Sequence, residues 1–465
     1  MKRLFYTLLF FLPCMLIACG GSDDTPDGDN NPPVVAPHSE EPVDSRLLYN
    51  GIRLPEQWPP VRSSSSELEK GMSPFYLSDK PSVINISVGR QLFVDNFLIE
   101  STNLKRTFYY PEYYSGNPIL TPEQDWEKTG TKGAAFAAPF SDGVWYDEKE
   151  GKYKMWYMAG GGSYATSGAG VTCYAESTDG IHWTKPILSV VAGTNIVDYN
   201  SERDASVVWL DKQESNASKR YKMFLVARES GKWRYHYKTS PDGKVWRAAV
   251  QSEPIADRST VYKNPFRNVW VYSMRHNVRV DANKLVRARD YNENADPEAG
   301  TKKAEALLSA FWFGPWANEQ HHTDYPNIAP AIYNQDATPY ESIMLGFFSV
   351  WQGPENDVCA SDNVIKRNQV MVGYSRDGYS WFREDMNPFH AVNTTTSDAW
   401  NQGNLQSVAG APLIVGDKLY FYLSGRRLRG TQEITTTGLA MLRRDGFASM
   451  KGTGELQTSL LKFDG

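Results

Sequence analysis

A turn recurs along this chain. Ser177-Thr178-Asp179-Gly180 is followed three residues later by Trp183. Ser240-Pro241-Asp242-Gly243 is followed by Trp246, and Ser375-Arg376-Asp377-Gly378 by Trp381. Arg444-Asp445-Gly446-Phe447 reads as a degraded fourth copy. The residue types are those of a tight turn: Asp bonds its own backbone, Gly takes positive φ, and Trp packs between units. Ahead of the first copy lie three strand-like runs, Gly143–Tyr146, Lys152–Met158 and Val171–Glu176, separated by polar or glycine-rich turns. Asp179, Asp242, Asp377 and Asp445 stand 63, 135 and 68 residues apart, so the middle gap holds two periods and one copy has decayed. Five units of about 65 residues result, and a period of that kind marks a repeat architecture. The expected fold is all-β, a five-bladed β-propeller over residues 83–465.

Two details complete the expected ring. Gln91–Ile99 reads as a strand that pairs with the last blade and protects the sheet edge. Lys302–Phe311 has helical spacing and is expected as a short helix. Of 465 residues, 41% are hydrophobic and 13% aromatic, enough for a large core with aromatic faces left to stack on sugars. The formal net charge of −5 excludes a nucleic-acid footprint.

The N-terminus reads as an export signal followed by a tether. Lys2 and Arg3 precede the apolar run Leu4–Ile17, which is too short to span a bilayer. Leu16-Ile17-Ala18-Cys19 resembles the bacterial lipobox, which implies cleavage before Cys19 and a lipid anchor on its thiol. Gly20, rather than Asp, follows, which by resemblance to sorted lipoproteins implies the outer membrane. Residues 20–45 are rich in Gly, Asp, Asn and Pro and cannot bury enough apolar surface to fold. Residues 20–82 are thus a disordered tether and lead-in, with a second flexible point at Ser63–Ser66. Cys14 leaves with the signal, and Cys173 and Cys359 are expected as free thiols.

In a propeller, the residues that open each inner strand share one mouth with the loops between second and third strands. The opening positions here are acidic: Asp142, Asp204 and Asp257, with Asp324 a looser candidate and Gln402 and Gln406 in the fifth unit. The loops add Arg275 and His276, Glu355, and Arg426 and Arg427. Crowded carboxylates push at least one pKa up and yield an acid beside a base, the pair that glycoside hydrolysis needs. The competing expectation is structural: these aspartates cap strand starts and bind arginines. Asp142, Asp204, Asp257 and Glu355 are the candidate catalytic residues. Arg275, His276, Asp324, Arg426 and Arg427 are the candidate substrate contacts, the arginines as grips for a carboxylate or sulfate. Glu341 opens a second strand and belongs on the opposite face. His321-His322 lacks spaced partners, so no metal and no cofactor are assigned.

Trp145-Tyr146-Asp147, Tyr153-Lys154-Met155-Trp156-Tyr157 and Tyr174–Trp183 resemble the five-bladed propellers of glycoside hydrolase families 32 and 43. Tyr340–Gly346, Tyr374–Trp381 and Leu419–Arg426 are similar to a family-32-like bacterial subgroup. The resemblance implies a nucleophile or base at Asp142, an orienting aspartate at Asp204 or Asp257, and an acid/base glutamate. Arg203-Asp204 is similar to the family-32 Arg-Asp pair. The Asn-Asp-Pro and Glu-Cys motifs of family 32 are missing, so fructan is not implied. The expected activity is exo-acting hydrolysis of a plant or algal poly- or oligosaccharide. A polysaccharide lyase, with His276 or a Tyr as base and Arg275 neutralising a uronate, is the alternative. A non-catalytic glycan-binding lipoprotein is the third reading.

Overall fold

The computed structural model describes residues 44–62, 71–128, 134–165, 170–281, 284–306, 308–396, 398–429 and 432–464. The residues expected to form the signal, Cys19, residues 20–43 and Ser63–Ser66 lie outside the described residues. The described chain is mostly β-sheet in a propeller-like arrangement. Its strands fall into successive antiparallel groups. The first holds Ala135–Ala138 with Val144–Asp147, then Lys152–Ala159 and Gly170–Ser177. The second holds Ile196–Leu210, Tyr221–Glu229, Lys232–Ser240 and Arg247–Gln251. The third holds Thr260–Asn264, Val269–Asp281, Lys284–Asn294 and Ala310–Phe313. The fourth holds Ala331–Tyr340, Ile343–Gly353 and Arg367–Ser375. The fifth holds Asn404–Val408 with Leu413–Val415, then Lys418–Arg429 and Gln432–Arg443. First strands touch in series, and Leu413–Val415 returns to Val144–Asp147.

The recurring turns weld neighbouring groups. In the first, Ser177 Oγ accepts the Gly180 N–H at 2.9 Å, and Asp179 Oδ1 accepts the N–H groups of Ile181 and His182 at 2.8 Å. The same bonds recur around Ser240 and Ser375. Each turn then receives a bond from the preceding group. Tyr422 Oη donates to Gly180 O at 2.8 Å, Trp156 Nε1 to Gly243 O at 2.7 Å, and Tyr262 Oη to Gly378 O at 3.2 Å. The degraded copy does the same, as Tyr340 Oη donates to Asp445 Oδ1 at 2.5 Å. Trp156, Trp270, Trp312 and Trp381 are fully buried. At about 25 cal/mol per Å², each buried indole contributes roughly 4–6 kcal/mol as an upper bound.

Two sequence expectations fail locally. The helix covers Pro297–Lys303, not 302–311. Asp296 accepts the Ala299 N–H at 2.7 Å and Pro297 fills the first turn, so cap chemistry starts the helix early. Ala310–Phe313 is instead a strand that buries Trp312. Gln91–Leu98 is not a strand either. Asp95 accepts the Phe97 N–H, a local turn bond, and its carboxylate takes the Arg376 guanidinium at 2.8 and 3.0 Å. Both side chains are buried. The fifth group gains its outer strand from Glu112–Tyr113, while Ile99–Thr102 pairs with Leu456–Thr458 and Lys105–Phe108 with Ala448–Lys451. The lead-in also packs: Leu48, Ile52, Leu54 and Tyr76 are buried against Phe97 and Leu98.

Candidate functional site

In each of the five groups the chain breaks its regular course within or beside the first strand. Phe140, Arg258 and Ser407 take positive φ, at 45°, 55° and 68°. Asp204 and Ala205 together face Val226, and the register also slips at Tyr333 and Ser407. A bulge re-aims the side chain it carries. Here four of the five meet. The Arg258 guanidinium lies 2.9 Å from Asp204 Oδ1, 5.6 Å from the Phe140 ring centroid and 5.5 Å from that of Tyr333. Asp204 Oδ2 also accepts the Arg258 backbone N–H at 2.7 Å. Ser407 Oγ completes the circle through Asn334 Oδ1 at 3.2 Å.

A positive shell surrounds this centre. Arg275 holds Asp257 at 2.7 Å, and Arg289, fully buried, donates twice to the Arg258 carbonyl at 2.8 and 2.7 Å. Burial pulls the Arg289 guanidinium down to about 10. Arg287 and Lys366 lie 4.9 and 5.7 Å from the Tyr333 ring centroid. Burial pushes the Tyr333 phenol up, but Arg258, Lys366 and Arg287 together hold it below its usual value. Asn368 and Asn404, side by side at the starts of their strands, carry buried amides with no hydrogen-bond partner among the described residues.

The sequence candidates divide three ways. Asp204, Asp257 and Arg275 join the cluster. Asp142 does not: it is fully buried, two residues past the break at Phe140, and takes Arg203 Nη2 at 2.7 Å. The equivalent positions in the first three groups are Phe140, Asp204 and Arg258, not the three aspartates. Glu355 is exposed on the same face, ahead of the helix Asn356–Asp362. Arg426 pairs with Glu433 at 3.0 Å and Arg427 with Asp398 at 3.1 Å, on the fifth group's hairpin. His276 bonds Asp290 at 3.0 Å, which raises its pKa, and successive positions on a strand face opposite ways, so it departs from Arg275. Asp324 is exposed, 3.9 Å from His322 Nδ1, seven residues before the strand it was expected to open. Glu341 sits in the turn at the far end of that strand, 2.6 Å from Arg90. Cys173 and Cys359 are free thiols. No group of three or more His, Cys, Asp or Glu among the described residues is placed to hold a metal ion.

Sequence reasoning passed over Arg258, Tyr333, Arg287, Lys366 and Asp336. Asp336 lies deeper, accepts from Asn334 Nδ2 at 3.1 Å and the Val408 N–H at 3.2 Å, and is pushed up to about 7 by burial. Its signal was Tyr333-Asn334-Gln335-Asp336, a polar run opening an apolar strand.

No family model matches the chain, and no curated protein does. Solved structures with a likeness to it include one titled a glycoside hydrolase, at 13% identity and a TM-score of 0.44, over 73% of this chain and 94% of that one. A fructofuranosidase from Schwanniomyces occidentalis complexed with fructosylnystose gives 12% and 0.41, over 75% and 64%. An N-acetylgalactosamine deacetylase from F. plautii in complex with blood group B trisaccharide gives 10% and 0.42, over 70% and 96%. At such scores the likenesses bear on neither mechanism nor substrate.

Proposed function

We propose that the chain is an exo-acting glycoside hydrolase, that its five strand groups are the blades of one closed propeller, and that the axial mouth is its active site. One observation carries the reading: Asp204 and Asp257, from different groups, stand in one cluster, each fixed by an arginine. Glycosidases of this kind work with a carboxylate pair across the scissile bond. Asp204, oriented by two bonds from Arg258, is the base or nucleophile. Asp257 and Arg275 orient the sugar, and Glu355 supplies the proton from the rim. The unpartnered amides of Asn368 and Asn404 suit sugar hydroxyls, since buried polar groups are normally bonded. Arg258, packed between Phe140 and Tyr333, would close the axis beneath a bound sugar, which suits attack on a chain end. Plant and algal poly- and oligosaccharides are the substrates to try. Release of monosaccharide from a non-reducing end supports the proposal; large internal fragments alone, or no turnover, oppose it.

Tyr333 favours a second reading, elimination from a uronate with the phenolate as base. A product carrying an ultraviolet-absorbing double bond would distinguish it from hydrolysis. The N-terminal sequence supports an exported lipoprotein anchored through Cys19. Cys19→Ala should then move the protein from the membrane fraction to the soluble one, and retention in the membrane would oppose the anchor.

A further inference from the structure

We propose that the axial mouth selects a sugar bearing a negative group, a carboxylate or a sulfate ester, held by Arg258, Arg287 and Lys366 around the Tyr333 ring. The proposal rests on the reading of this mouth as the substrate site and adds the class of substrate. Three cations surround one largely buried ring, from the turn ahead of the third group's first strand, from its third strand and from the segment before Arg367–Ser375. Asp204 answers Arg258. Asp257 answers Arg275. Arg287 and Lys366 have no carboxylate within ion-pair distance among the described residues, so these six side chains carry two more cations than anions, and the buried Arg289, turned to the Arg258 carbonyl, adds a third. The chain as a whole is negative, at −5, so this concentration is local. Like charges drawn together in a partly dry site repel each other, and a ligand anion is what relieves them. Arginine matches either anion with two parallel N–H bonds, while lysine serves both as a point charge.

Tyr333 supplies a reporter. The cations hold its phenol below the usual tyrosine value. An anion seated among them cancels part of that field and must raise it again, and by linkage its binding weakens as pH rises through the Tyr333 titration.

The test is isothermal titration of the folded protein with glucuronate, glucose 6-sulfate and glucose, with a parallel phenolate absorbance titration. Saturable binding is expected for an acidic sugar, weakening with salt, and none for glucose. The two acidic ligands separate carboxylate from sulfate recognition. Lys366→Gln and Arg287→Gln should each weaken it about tenfold, with the melt unchanged. One phenolate transition should vanish in Tyr333→Phe, and that transition should move to higher pH when the acidic sugar binds. Equal binding of glucose, or no binding of either acidic sugar, overturns the proposal, even if neutral glycans are hydrolysed. Acidic-sugar binding without glycan hydrolysis leaves it standing and removes the hydrolase instead.

Discussion

Asp142→Asn separates an interior ion pair from a catalytic acid. Asp142 and Arg203 expose 0% and 2% of their side chains and meet at 2.7 Å. Burial pushes the Asp142 carboxyl up, against the pull of Arg203. Arg203 Nη1 has one other bond, to Thr172 Oγ1 at 2.6 Å, so the amide leaves a buried guanidinium without its counter-charge. Breaking one side of such a pair costs about 3–5 kcal/mol. With roughly 400 ordered residues unfolding at about 0.8 kcal/mol/K in total, the melting temperature should fall about 4–6 °C. Arg203→Gln in the same background should recover part of the loss, because no uncompensated charge then remains. Calorimetric melts give the first quantity, and turnover per folded molecule well below the melt gives the second. The account expects a clear drop in melt with turnover largely retained. An unchanged melt with turnover abolished would place Asp142 in the reaction and refute its assignment to the interior.

Three further outcomes follow from buried groups and one glycine. Asp336, pushed up to about 7 in the fold, keeps its proton while the unfolded chain loses it above about pH 4. Wild-type stability should therefore fall between about pH 4 and 7, by up to about 4 kcal/mol, relative to Asp336→Asn in denaturant titrations; a constant difference would contradict the burial argument. His390 is fully buried, both ring nitrogens lack partners among the described residues, and burial lowers it to about 3. Its neutral form should lose stability as pH falls from about 6.5 towards 3, and His390→Phe should flatten that acid limb of the same titration. Gly243 has φ 78°, and a Cβ there would stand 2.3 Å from Trp156 Cζ2. Gly243→Ala should cost at least about 1–2 kcal/mol in chemical denaturation, and a neutral result would mean the turn does not dock on Trp156.

Local turn chemistry was legible because Ser, Asp and Gly at fixed offsets bond within four residues. The three intact copies form the same bonds, and the degraded copy still docks through Asp445. What required distant partners was not legible. Gln91–Leu98 looks apolar enough for a strand, but Asp95 is claimed by Arg376, far along the chain. Asp142, Asp204 and Asp257 look equivalent by the residues that follow them. The breaks at Phe140, Asp204, Arg258, Tyr333 and Ser407 shift the alignment by one or two residues, and no glycine marks them. That shift sent Asp142 inward and brought Arg258 and Tyr333 to the centre.

The most direct measurement is turnover by Asp204→Asn beside its thermal melt, on a glycan the wild-type protein cleaves. Asp204 keeps 14% of its side chain exposed, unlike the fully covered Asp142, and is held by Arg258, itself 15% exposed. The account predicts a loss of kcat of at least about a hundredfold, as for removal of a positioned acid–base group, with the melt within a few degrees of wild type. Wild-type turnover in that variant would contradict the axial site.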